Sequence, residues 1–109
     1  MRIWDIEPER LCRQHLLGEH RELHALWMIL TRQKKGFARH PETMRWRGKL
    51  KALYRRHEAL AAEMGRRGYR HGTPLPREEA VGLAHQAEYK DTPAEQVRIL
   101  KRKGCGCRV

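Results

Sequence analysis

Residues 14 to 24 read QHLLGEHRELH, the densest run in the chain of side chains able to move protons or bind ions. On a helix, His15, Glu19 and Glu22 stand at i, i+4 and i+7 and share one face, whereas His20 and His24 share another. The first face is acidic in an otherwise basic chain, so it reads either as a proton-transfer site or as a solvated, salt-bridged surface. His20, Glu22 and His24 also make an H-x-E-x-H pattern. A stable zinc site needs three or four convergent ligands, and no completion is visible in the sequence, so no metal is expected. Cys12, Cys105 and Cys107 are odd in number and lack a framework spacing, which predicts free thiols in a reducing compartment. The Cys105-Gly-Cys107 pair is read as incidental to a mobile end.

The element that carries the first group is a helix from about Gln14 to Gln33, marked by Leu16, Leu23, Leu26, Trp27 and Leu30 at helical spacing. Before it, Pro8 to Cys12 can form one helical turn. After it, Lys34, Lys35, Gly36 and Pro41 mark a basic loop. A second helix is expected from Met44 to Arg66, with Leu50, Leu53, His57, Leu60 and Met64 on one side and His57 as a core histidine. Gly68, Gly72, Pro74 and Pro76 mark another loop, holding Arg66, Arg67, Arg70 and His71. A third helix is expected over Arg77 to Tyr89, weakened by Gly82. A fourth runs from Thr92 to about Lys101, where Thr92, Pro93 and Glu95 form a capping signal. Trp27 is read as packing; Trp4 is read either as packing or as a surface for an unstacked base. The expected class is all-α: one compact domain of three to four helices over residues 1–100, with basic loops and a flexible basic tail over 101–109.

Charge narrows the partner. Lys and Arg number 24 against 13 acidic residues in 109, a formal charge of +11. Such a surface suits a polyanion, and phosphate binding of this kind does not itself distinguish DNA from RNA. The longest apolar run, Leu23 to Leu30, contains His24 and falls far short of the roughly 20 residues that cross a bilayer, so no membrane association is expected. Asp5, Glu7 and Glu9 stand where a signal peptide would be basic and apolar, so a cytoplasmic protein is expected.

The opening of the chain resembles the pyrimidine-dimer DNA glycosylase family. Arg2, Ile3, Leu11, Gln14, His15, Leu16, Glu19, Arg21, Glu22 and Leu23 follow that family's opening at the same spacing. The run LKALYRRHEALAAEMGRRGY in the second helix is similar too, and the resemblance ends near Arg70. Two departures stand out. Ala25 occupies a position where the family's phage member has a further arginine, and the aromatic C-terminal segment has no counterpart in KRKGCGCRV.

The resemblance implies double-stranded DNA with a damaged or abasic site as partner. It also implies Schiff-base chemistry by the N-terminal α-amine, with glycosylase and abasic-site lyase steps, and neither a metal nor a small-molecule cofactor. In this sequence the nucleophile falls on Met1 and the indispensable glutamate on Glu22. Methionine aminopeptidases prefer a small second residue, and Arg2 is large, so Met1 should be retained. An α-amine titrating near 7.7–8.0 is better poised to attack than a lysine near 10.4, and Arg2 beside it should lower it further. The DNA-binding set expected is Arg2, Gln14, His15, Arg21, Lys34, Lys35, Arg66, Arg67 and Arg70, acting in a monomer. The competing reading is a non-catalytic basic nucleic-acid-binding module in which Glu22 is a surface residue. A metal-dependent hydrolase is a third, and it would be excluded by cleavage that persists in chelator.

Overall fold

A computed structural model describes residues 2–32, 39–70 and 73–109. Among these residues there are four helices, α1 (Arg13–Arg32), α2 (Pro41–Arg45), α3 (Leu50–Arg66) and α4 (Pro93–Arg102), with 3-10 turns at Pro8–Arg10 and Arg77–Glu79. Among the described residues there is no strand, only an isolated bridge between Lys49 and Gly82. The chain is therefore all-α. Its radius of gyration, 13.5 Å, is that of one domain of about 100 residues.

The apolar stripes of α1 and α3 face each other. Leu16, Leu23, Leu26 and Trp27 of α1 are buried against Leu53, Leu60 and Met64 of α3, and Ile3, Trp4, Ile6 and Leu11 from the N-terminal segment close one side. Leu100 of α4 joins the same core. A buried ion pair crosses the helix interface. Arg56 Nε and Nη2 donate to the Glu19 carboxylate at 2.7 and 2.9 Å, and Arg56 Nη1 donates to the Ile6 carbonyl at 2.9 Å. Burial pushes the Glu19 carboxyl above the ordinary carboxylate range, offset in part by the Arg56 guanidinium.

Three sequence expectations change. The helix expected over 44–66 is broken: α2 ends at Arg45, Gly48 takes a positive φ of 73°, and α3 starts at Leu50. That left-handed conformation suits glycine, and it turns the chain between two helices.

The helix expected over Arg77 to Tyr89 does not form. After one 3-10 turn the segment runs as a strap across the start of α3, whose cap residue Lys49 offers no side-chain bond to the helix amides. Lys51 N donates to Val81 O at 2.9 Å and Ala52 N to Leu83 O at 3.0 Å, so the strap satisfies amides that a helix start leaves orphaned. Gly82 has φ 88°, and a Cβ there would lie 2.3 Å from the Gly48 carbonyl oxygen, which makes glycine obligatory at the crossing.

The tail expected to be mobile is docked. Arg108 N donates to Arg10 O at 2.7 Å, Arg10 Nε returns a bond to Arg108 O at 3.0 Å, and Cys105, Cys107 and Val109 pack on the core. The Thr92–Glu95 capping box of α4 forms as expected. No described helix is long and apolar enough to cross a membrane.

Candidate active site

The N-terminal segment is held in place by buried polar groups of α2 and α4. Arg45 donates to Ile3 O at 2.9 Å and to Asp5 Oδ2 at 3.0 Å, and it is ion-paired with Glu42. Glu42 in turn accepts from Ile3 N at 3.3 Å and from the Trp46 indole at 3.0 Å. Gln96 of α4 accepts from Asp5 N at 2.7 Å and donates to Asp5 Oδ2 at 2.9 Å. Residues 3 to 6 are thereby pinned from two sides, and Arg2 is carried to the edge of a cavity.

That cavity, about 330 Å³, is lined by Arg2 and Trp4, by Gln14, His15, Gly18, Glu19 and Glu22 on α1, and by Ile99 and Lys103. Arg2 is ion-paired with Asp91 at 2.9 Å and lies 4.9 Å over the Trp4 ring, and Trp4 meets His15 edge-on with centroids 5.7 Å apart. Burial and the nearby Lys103 charge both lower the His15 pKa, which favours a neutral ring near pH 7.

The two carboxylates of α1 divide their roles. Glu19 is 2% exposed and bound by Arg56. Glu22 is half-buried at the cavity, and among the described residues it makes no hydrogen bond or ion pair. Gly18 leaves the wall between them open, since a Cβ there would meet nothing within 4 Å.

The family model described as pyrimidine dimer DNA glycosylase matches residues 1–76. The chain belongs to that family. No curated protein and no solved structure gave a match. Membership implies DNA glycosylase activity, DNA as substrate and a part in DNA repair. The matched span contains Arg2, Trp4 and the whole α1 wall of the cavity, whereas Ile99 and Lys103 lie beyond it.

For a DNA glycosylase, the expected DNA-binding residues fall into separate groups. Arg2, Gln14 and His15 line the cavity with Glu22. Arg21 is exposed on another face, beside Leu17, His20, His24 and Thr73. Arg66 is largely exposed while paired with Glu63 at 2.8 Å, and Arg70 is exposed. Arg67 is partly exposed; its Nε binds Glu63 at 2.7 Å and its Nη2 donates to Leu11 O at 2.6 Å, which straps α3 to the turn before α1. Met1, Lys34 and Lys35 lie outside the described residues.

The sequence reading missed Lys103, which it placed in a loose tail after residue 100, and Ile99, which it placed in the last helix without a role. The unbroken basic run Lys101, Arg102, Lys103 was the available signal. With Arg98, Lys101 and Arg102 line a larger groove of about 710 Å³ along α4, which shares Ile99 with the cavity. Despite its size, that groove has one carboxylate, Asp91, paired with Arg2 and the other, Glu95, bound in the Thr92 capping box, and no cysteine or imidazole lines it. The smaller cavity is the better site for chemistry.

Two groups have metal-ligating composition. His20 and His24 do share a face, as expected, but Glu22 points elsewhere and their third neighbour is the fully buried His57 of α3. His24 Nε2 and His57 Nε2 are 3.1 Å apart, and His57 Nδ1 is 3.0 Å from Glu58. Both His57 nitrogens thus have protein partners, in keeping with its reading as a core histidine. The second group is Cys12, His15, Cys105 and Cys107. Burial pushes the Cys107 thiol up to about 12, which makes it inert as a nucleophile in its free form.

Proposed function

We propose that the chain is a DNA glycosylase with associated abasic-site lyase activity, acting at ultraviolet pyrimidine dimers through the α-amine of Met1 and the carboxylate of Glu22. The observation that carries this reading is the Glu22 carboxylate, without a hydrogen bond or ion pair among the described residues, in a cavity shared with Arg2, the residue that follows the amine.

The chemistry follows from these groups. The unprotonated amine attacks C1′ of a nucleotide displaced from the stack, the base leaves with its bonding electrons, and the sugar ring opens to a protonated Schiff base. Glu22 assists ring opening and then takes a C2′ proton, so that the 3′ phosphate departs by β-elimination. Proton transfer by a positioned carboxylate contributes about 10²–10⁴-fold. Water then hydrolyses the imine and restores the amine. None of these steps calls on a metal ion.

Asp91 pairs with Arg2 at 2.9 Å and holds that guanidinium at the edge of the cavity. Gln14, Lys103 and the neutral His15 line the pocket around the displaced nucleotide. Arg21, Arg66, Arg70 and the basic groove of α4 hold flanking phosphates of the duplex, which binds one copy of the chain.

The test is Glu22→Gln on duplex DNA carrying one abasic site or one pyrimidine dimer, with and without chelator. Loss of strand cleavage by 10²-fold or more, with DNA affinity kept, supports the reading. Cleavage equal to the parent protein, or no cleavage by the parent itself despite tight binding, would leave a basic binding module in its place.

A further inference from the structure

The three cysteines have no part in that chemistry, yet the fold draws them together. Cys12 ends the turn before α1 and His15 lies one helical turn on, while Cys105 and Cys107 follow α4, 90 or more residues away in sequence. One ligand atom from each of the four lies within 4.8 Å of all the others. Cys12 Sγ is 3.1 Å and Cys107 Sγ 3.5 Å from the same nitrogen, His15 Nδ1. Cys12, Cys105 and Cys107 are all free thiols. A disulfide among three would leave one unused, whereas a tetrahedral ion uses all three and the imidazole.

We propose that Cys12, His15, Cys105 and Cys107 form a closed, four-coordinate structural zinc site that fastens the C-terminal segment to the start of α1. Zn–S bonds of about 2.3 Å and Zn–N bonds of about 2.0–2.1 Å place tetrahedral ligand atoms roughly 3.5–3.8 Å apart, so small side-chain adjustments complete the site. Three thiolates and one imidazole are a donor set that selects zinc among common divalent ions. On binding, each thiol loses its proton to solvent and His15 donates the Nδ1 lone pair, so the centre carries a charge of −1. The Cys12 backbone N–H already points at Cys107 Sγ at 3.0 Å, an outer bond of the kind that supports a metal thiolate. Gly104, with φ 65°, makes the turn that brings Cys105 and Cys107 back, and Gly106 passes in ordinary contact with the Cys12 Cβ, 3.6 Å from where its own Cβ would be.

The site joins the two parts of the chain. Cys12 and His15 lie within the family-matched residues 1–76, and Cys105 and Cys107 lie beyond them. It also touches the cavity: His15 is a wall residue against Trp4, and Lys103 is two residues before Cys105. Zinc would therefore set one wall of the pocket without touching substrate. The inference does not depend on Schiff-base chemistry.

The test uses the full chain purified in reductant without chelator. Elemental analysis should find about one zinc per chain, and Co(II) exchanged into the site should show the visible bands of a tetrahedral ion together with thiolate charge-transfer absorption. Cys105→Ser and Cys107→Ser should each lose most of the bound metal, and His15→Cys should keep it with the spectrum moved toward four thiolates. Chelator should lower the melting temperature of the parent protein and leave that of Cys107→Ser unchanged. Absence of zinc with no Co(II) uptake and three freely titrating thiols would overturn the proposal, as would a Cys12–Cys107 disulfide. Metal retained in both serine variants, which would point to His20, His24 and His57, overturns it equally.

Discussion

Arg56 closes on Glu19 with two hydrogen bonds of 2.7 and 2.9 Å, which leaves Glu22 as the carboxylate of α1 without a partner among the described residues. Breaking a buried pair by removing one partner costs about 3–5 kcal/mol. Glu19→Gln should therefore lower the melting temperature by well over 10 °C, at about 4–8 °C per kcal/mol for a domain near this size. Glu22→Gln should leave it within about 4 °C, since changes away from buried pairs lie within about 0.5 kcal/mol. Thermal melts of the two variants side by side decide this, and equal effects would contradict the division of roles.

Gly18 sits inside α1 with open space where its Cβ would be. Gly18→Ala should stabilise the helix by about 0.5–1 kcal/mol. The same methyl enters the cavity beside Glu22, so activity on a bulky lesion should fall several-fold, chiefly through KM. Unaltered kinetics in a stabilised protein would show that substrate does not reach this wall.

At the crossing of Gly82 over Gly48, alanine would place its Cβ 2.3 Å from a carbonyl oxygen in a conformation that L-residues avoid. Gly82→Ala should cost about 1–3 kcal/mol. The damage should be local at first, and faster hydrogen exchange at the Lys51 and Ala52 amides, which the strap caps, is the signature to measure. Exchange unchanged at both amides would contradict the capping role.

Acid should unfold the protein through its paired glutamates. Hydrogen bonds from Arg67 and then Arg66 hold the Glu63 carboxyl below its ordinary 4.5, and the Thr92 backbone N–H does the same for Glu95. A depressed folded-state pKa gives stability that is present above pH 4.5 and lost as pH falls through the folded value. Denaturant midpoints followed downward from pH 5 should thus decline below about 4.5, and Glu63→Gln should flatten that decline. A parent and variant with parallel profiles would remove Glu63 from the explanation.

Much of this was legible in the sequence where local signals agreed. The leucine and tryptophan spacing of α1 and the Thr92–Glu95 capping box specify helices that the structure contains. Elsewhere a local signal yielded to a distant one. The apolar residues at 80–84 suggest a helix, but their backbone serves better as a cap for α3, and the positive φ of Gly82 permits the crossing. Gly48 similarly splits the long second helix, a break that leucine periodicity does not reveal. For the site, the family resemblance singled out Glu22, while spacing alone could not tell it from Glu19; burial by Arg56 makes that distinction. The basic run ending at Lys103 could be read, but its place in the cavity, like the Cys12–Cys107 contact, could not, because both join residues about 90 apart through the docking of α4.

The central claim is best tested by borohydride reduction of the protein bound to duplex DNA with a single abasic site, followed by peptide mapping. The account predicts a covalent adduct on the α-amine of Met1, abolished by N-terminal acetylation. An adduct on a lysine, or none from a protein with a free N-terminus that still binds the DNA, would contradict it.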